Sequence, residues 1–259
     1  MKLGFIGMGN MASALAGGFI RSGKLAPADI IAFDPYTEGL LKKAEQLGFT
    51  PAGTAAEAVK SADVVLLACK PHQVETAIAP IRDLLRDKAL LSIALGWDFA
   101  KYQTILPGDA RVQFIMPNTP AMVGEGVFLF EQTHSLLAEE LQAVKALFAA
   151  VGKVSTLPSH LMEIGGALTG CGPAFVDLML EAFADAAVKY GIPREQAITL
   201  TAQMVLGSAK LQQETGLHPG VLKDMVCSPG GSTIKGVTAL EQAGYRAACI
   251  SAIDAIMKK

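Results

Sequence analysis

Apolar and polar positions follow two different patterns along the chain. In the first pattern, short unbroken apolar runs occupy residues 3–6, 30–33, 64–68, 90–94 and 112–116, and several are β-branched. A strand covered on both faces has this pattern, because neither of its sides meets water. Between these runs, residues 11–22, 38–47 and 73–85 read as helices. Strand and helix in alternation predict right-handed crossovers and a doubly wound, mainly parallel sheet. Runs at 126–130 and 153–157, flanking a helix over 139–150, extend its edge.

The second pattern begins after Pro158. Phe175, Leu178, Met179, Ala182, Phe183 and Ala186 recur at helical spacing, and so do Ala197, Leu200, Met204, Ser208 and Leu211. Gly191 marks a helix end and Pro193 the next helix start. The expected architecture is an α/β Rossmann domain over 1–158 followed by an all-α domain over 159–259. Frequent Ala and Gly in the second domain allow helices to approach closely, within or between subunits.

Composition refines this picture. The 259-residue chain is 51% hydrophobic with a mean hydropathy of +0.38. That is more apolar surface than a lone monomer needs to bury, which predicts an oligomer. Membrane insertion is the competing explanation, but the apolar runs above are shorter than the roughly 20 residues of a spanning helix. A net charge of −2 and a pI near 6.1 leave no basic footprint for nucleic acid. No charged leader precedes the first strand, and Cys69, Cys171, Cys227 and Cys249 are widely spaced. Reduced thiols in a cytoplasmic protein are expected. Asp177, Glu181 and Asp185 stack on one helix face, with an ion pair expected between Asp185 and Lys189. No histidine accompanies them at a useful spacing, so no metal is expected.

Candidate chemistry starts at the first turn. Gly7, Met8, Gly9, Asn10, Met11 and Ala12 fit G-x-G-x-x-A between a strand and a helix. The first glycine permits a tight turn, and the second lets backbone approach a diphosphate. Ala12 keeps helix and strand close. Free amides at the positive end of the helix then attract the anion. Asp34 closes the second strand, where an acid can bind an adenosine ribose diol. The same carboxylate repels a 2′-phosphate, and Pro35 and Tyr36 supply no cation, so NADH is favoured over NADPH. The competing reading has Asp34 starting a turn with Pro35.

Longer motifs carry a resemblance. Residues 4–11 (GFIGMGNM), Ala68-Cys69-Lys70-Pro71 and Met116-Pro117-Asn118-Thr119-Pro120 occur in order. They are followed by residues 167–174 (ALTGCGPA) and by Ser228-Pro229-Gly230-Gly231-Ser232-Thr233-Ile234. Together these resemble the successive motifs of pyrroline-5-carboxylate reductases, across essentially the whole chain. The resemblance implies NAD(P)H-dependent hydride transfer to a cyclic C=N carbon, giving L-proline. It implies a helical C-terminal domain that dimerises, with dimers that often assemble into decamers. The active site is then formed where nicotinamide meets the helical domains of paired subunits.

By that resemblance, Ala68, Cys69, Lys70 and Pro71 surround the cofactor's ribose and nicotinamide. Asn118 orients the nicotinamide region or fixes the loop. Ser228, Gly230, Gly231 and Ser232 cradle the substrate carboxylate, and the Thr233 hydroxyl hydrogen-bonds the ring nitrogen. Without the resemblance, residues 228–233 read as a Gly-Gly turn with Ser232 or Thr233 capping a helix. Two alternatives stand beside this function: a reductase of a related cyclic imine carboxylate, and a non-catalytic dinucleotide-binding sensor.

Overall fold

The computed structural model describes residues 1–258. Eight strands form one sheet: β1 (Leu3–Ile6), β2 (Ile30–Phe33), β3 (Thr50–Pro51), β4 (Val64–Leu67), β5 (Ala89–Ser92), β6 (Arg111–Met116), β7 (Gly126–Glu131) and β8 (Gly152–Leu157). Their order is β3-β2-β1-β4-β5-β6-β7-β8, and only the β6–β7 pair is antiparallel. The chain therefore winds outward to one side of β1 and then to the other. Ligands of open α/β sheets bind at such a reversal, outside the carboxyl ends of the strands.

Helices cover both faces: α1 (Asn10–Arg21), α2 (Thr37–Leu47), α3 (Ala55–Lys60), α4 (Val74–Ile78), α5 (Phe99–Ile105) and α6 (Ala138–Ala149). The period of two along each strand divides the core. Leu3, Phe5, Leu66 and Leu91 pack with Leu15 and Phe19 of α1, Leu40 of α2 and Phe148 of α6. Ile6, Val65, Leu67 and Leu90 pack with Val59 of α3, Ile78 of α4 and Tyr102 of α5. Both sides being apolar is why these strands read as unbroken runs.

The helix expected over 73–85 is interrupted. It consists of a tight turn at Pro71–Gln73, then α4, then a second tight run at Ala79–Leu85. Pro80 near the start of that run has no N–H to continue the α-helical ladder. Two short helices were not anticipated, and each is started by a side-chain cap. Thr54 accepts from the Glu57 amide at 3.1 Å, and Asp98 from the Lys101 amide at 2.9 Å.

After β8 come α7 (Met162–Gly166), a wider π-type turn (Ala167–Cys171), α8 (Gly172–Lys189), α9 (Arg194–Thr215), α10 (Pro219–Met225), α11 (Ser232–Gln242) and α12 (Tyr245–Met257). The chain forms two compact units that divide between Gly170 and Cys171. In the first, α7 lies close on the sheet. A Cβ on Gly165 would meet Leu157 and Leu129 within 2.7 Å, and one on Gly166 would meet Met116 Sδ at 2.1 Å.

The second unit has almost no core of its own. Among its described residues only Ala184, Ala197 and Thr201 are buried, whereas Leu178, Leu200, Met204, Leu206 and Ile250 are each about half exposed or more. The continuous helical stretch Ser159–Lys189 contains an 18-residue window with a mean hydropathy of 1.3 and is, by length and composition, long and apolar enough to cross a membrane. It contains no long unbroken apolar run, because glycines, a threonine and carboxylates interrupt the pattern. The expected Asp185–Lys189 pair is also replaced. Asp185 binds Arg194 of α9 at 2.6 Å, while Lys189 sits over the Tyr190 ring.

Candidate active site

The turn from β1 into α1 is built around Gly7. Its φ of +94° lies in the left-handed region, and its amide donates to the Phe33 carbonyl at 2.8 Å. A Cβ there would lie 2.9 Å from the Ala68 carbonyl carbon and 3.0 Å from the Cys69 nitrogen. The turns after β1 and β4 therefore abut at the carboxyl edge of the sheet, bringing Gly7–Met11 beside Ala68–Pro71.

Gly9 is the N-cap of α1, and nothing lies within 4 Å of where its Cβ would point. The first helical bond runs from the Ser13 amide to the Gly9 carbonyl at 2.9 Å. The amides of Asn10, Met11 and Ala12 have no side-chain cap, and Asn10 is exposed. A glycine-lined opening in front of uncapped amides fits a dinucleotide diphosphate.

Asp34 is half-buried at the end of β2. Oδ2 accepts from the Met8 amide at 2.7 Å, and Oδ1 from the Tyr36 amide at 2.9 Å. Asp34 thus starts the Pro35 turn, the second of its two readings, and it also clamps the glycine loop, which neither reading included. A carboxylate oxygen has lone pairs beyond one amide bond, so each oxygen keeps the capacity to accept from a hydroxyl. Lys43 of α2 donates to the Met8 carbonyl, so the Met8 peptide is held at both ends. This cation is not legible from the residues next to Asp34, because it lies further along the chain on α2. One helical face brings Lys43 back over the loop.

In the turn after β4, Cys69 is half-buried, and burial pushes its thiol up to about 11. Lys70 and Pro71 are exposed. Asn118, at the end of β6, uses its amide within the chain. Its Nδ2 donates to the Thr169 carbonyl at 3.0 Å, and its Oδ1 accepts from the Val127 amide at 2.8 Å. Of the two roles expected for Asn118, the loop-fixing one is the one this geometry displays.

In the second unit, Ser228–Gly231 forms a tight turn closed by the Gly231 amide on the Ser228 carbonyl at 3.0 Å. Pro229 supplies the fixed φ of its second position, and Gly230, with φ +71°, the left-handed third. Gly231 then caps α11, so neither Ser232 nor Thr233 is the N-cap. No side-chain cap bond closes this end, and both residues are exposed on the first turn. The arrangement presents backbone amides, a helix N-terminus and two hydroxyls, a set suited to a carboxylate and an adjacent polar atom.

Comparison with known proteins decides the family. Residues 159–259 match the model described as pyrroline-5-carboxylate reductase dimerisation, and residues 2–96 match NADP oxidoreductase, coenzyme F420-dependent. A pyrroline-5-carboxylate reductase from Methanosarcina acetivorans is 40% identical over 97% of this chain and 94% of its own length. The chain belongs to the pyrroline-5-carboxylate reductase family.

Solved structures agree. The Coxiella burnetii pyrroline-5-carboxylate reductase superposes with a TM-score of 0.89 at 31% identity, covering 98% of this chain and 95% of that one. The Plasmodium falciparum pyrroline carboxylate reductase, solved with NADP bound, gives a TM-score of 0.88 at 29% identity over 99% and 95%. The dimerisation match spans the helices whose apolar faces lie open in the single chain.

Proposed function

We propose that the protein is a pyrroline-5-carboxylate reductase, catalysing nicotinamide-dependent reduction of the cyclic C=N bond to L-proline in proline biosynthesis. The observation that carries this is full-length similarity to relatives of that activity, at 40% identity over 253 residues. When bound, the reduced nicotinamide supplies the hydride. The protein's own contribution is positioning and electrostatics.

In this reading Gly7, Met8, Gly9, Asn10 and Met11 hold the diphosphate at the start of α1. Asp34 meets the adenosine ribose, and its negative charge favours NADH over NADPH. Ala68, Cys69, Lys70 and Pro71 line the nicotinamide side through their backbone, supported by Asn118. Ser228, Gly230, Gly231 and Ser232 bind the substrate carboxylate. The Thr233 hydroxyl bonds the ring nitrogen, which accepts hydride at its neighbouring carbon most readily when protonated. The proposal involves no metal. The working unit is at least a dimer, assembling further to a decamer, in the cytoplasm.

The test incubates purified protein with pyrroline-5-carboxylate and either NADH or NADPH, following cofactor oxidation and proline formation together. Proline should accumulate in step with cofactor consumed. Absence of proline with both cofactors overturns the assignment.

A further inference from the structure

The chain has a single tryptophan, and none of the roles above uses it. Trp97 follows β5 on the same carboxyl edge as the Ala68–Pro71 turn. Its indole Nε1–H donates to the Pro71 carbonyl at 2.9 Å. That carbonyl also takes the Val74 amide within the turn, so Trp97 occupies its second lone pair.

Behind the indole stands a rigid support. Trp97 packs against Tyr102 with ring centroids 5.3 Å apart. Tyr102 is fully buried, and its hydroxyl shares a 2.5 Å hydrogen bond with Ser92 Oγ, which also accepts the Ala94 amide at 3.2 Å. Burial raises the Tyr102 hydroxyl well above the ordinary phenol range, so it stays neutral. The contacts run from Ser92 in the sheet interior, through two rings, to one carbonyl of an exposed turn. Pro71 has no N–H with which to anchor itself. The turn is otherwise tied at its start, where the Ala68 amide donates to the Ile6 carbonyl of β1 at 2.8 Å, and locally between Lys70 and Gln73.

We infer that Trp97 is a positioning residue: by holding the Pro71 carbonyl, it sets the Ala68–Pro71 turn in the conformation that receives the nicotinamide end of the dinucleotide. The inference rests on the reading that this turn lines the nicotinamide side of the cofactor. It explains why a large ring with a donor is placed at a half-exposed edge. An apolar cover for Tyr102 needs no N–H.

The experiment compares NADH with ADP-ribose, which keeps the adenosine and diphosphate but lacks nicotinamide. Trp97→Phe keeps a ring over Tyr102 and loses the donor. It should weaken NADH binding about three- to ten-fold, as one hydrogen bond contributes, and leave ADP-ribose binding within about two-fold. Substituting benzothienylalanine for the only tryptophan removes the N–H with little change of shape and should reproduce that loss. Unchanged NADH affinity overturns the inference, and so does an equal loss for both ligands, which marks a merely structural residue. A separate measurement tests the underlying reading. Saturating NAD⁺ should change Trp97 fluorescence in the wild-type protein, whereas ADP-ribose should change it little. Binding of NAD⁺ without any fluorescence change overturns the placement of nicotinamide at this turn, and the inference with it.

Discussion

Asp34 holds one oxygen on the Met8 amide and the other on the Tyr36 amide, so its charge is fixed at the mouth of the glycine loop. Replacing Asp34 with Asn removes the charge while keeping an acceptor. The kcat/KM for NADPH relative to NADH should then rise about ten-fold, a change of ~1.4 kcal/mol in charge repulsion. An unaltered ratio would show that Lys43 or some other group governs the choice. Thr233 invites a different measurement, because neither it nor Ser232 caps α11. Thr233→Ala should lower kcat by at least about ten-fold and leave the melting temperature unchanged. Full activity excludes the hydroxyl from the chemistry. At Cys69, burial raises the thiol from 9.0 to about 11. The folded protein therefore holds that proton more tightly than the unfolded chain does. Any stability from this group is intact below the ordinary thiol pKa and declines as pH rises through about 11. Alkylation mapped to Cys69 should be slow near neutrality and accelerate toward that pH. Rapid labelling near neutrality counts against the buried thiol.

Among the elements, the strands were the most legible, because the sheet is covered on both faces and each strand shows as an unbroken apolar run. The short helices α3 and α5 were not seen. Their six and seven residues give too few turns for a period, and their caps, Thr54 and Asp98, are residues equally common in loops. The β1–α1 turn was legible from its glycines, although the reason Gly7 is required emerged only when β4 was placed beside it. Gly7→Ala forces a left-handed backbone on a side chain and drives a methyl into the Ala68 carbonyl. It should cost at least about 2 kcal/mol in denaturant unfolding and abolish nucleotide binding. Wild-type stability in that variant would refute the close approach of the two turns.

For the molecule as a whole, the helical unit sets the behaviour. Its described residues bury only two alanines and a threonine, and several leucines of α8 and α9 lie open together with Met204. Those faces fall within residues 159–259, which match a dimerisation model. Self-association through this segment offers those faces, and the apolar stretch Ser159–Lys189, a partner. The melting temperature should rise with protein concentration, as mass action requires when folding and association are linked. Leu178→Lys on the open face of α8 should shift the protein toward monomer in sedimentation and reduce activity in parallel. A monomeric wild-type protein that is fully active removes this account.

Periodicity along the chain was enough to establish the doubly wound sheet and the change to helices after Pro158, and glycine spacing the two glycine turns, because each depends on residues near one another in the chain. Local order alone also carried the family motifs. What depended on folding was which distant groups meet. Lys43 and Asp34 clamp the same Met8 peptide, Trp97 ties down Pro71, and the amide of Asn118 bridges Thr169 and Val127. Such contacts join residues from separate strands and helices, and no one-dimensional pattern encodes the direction in which a side chain reaches across the edge of a sheet.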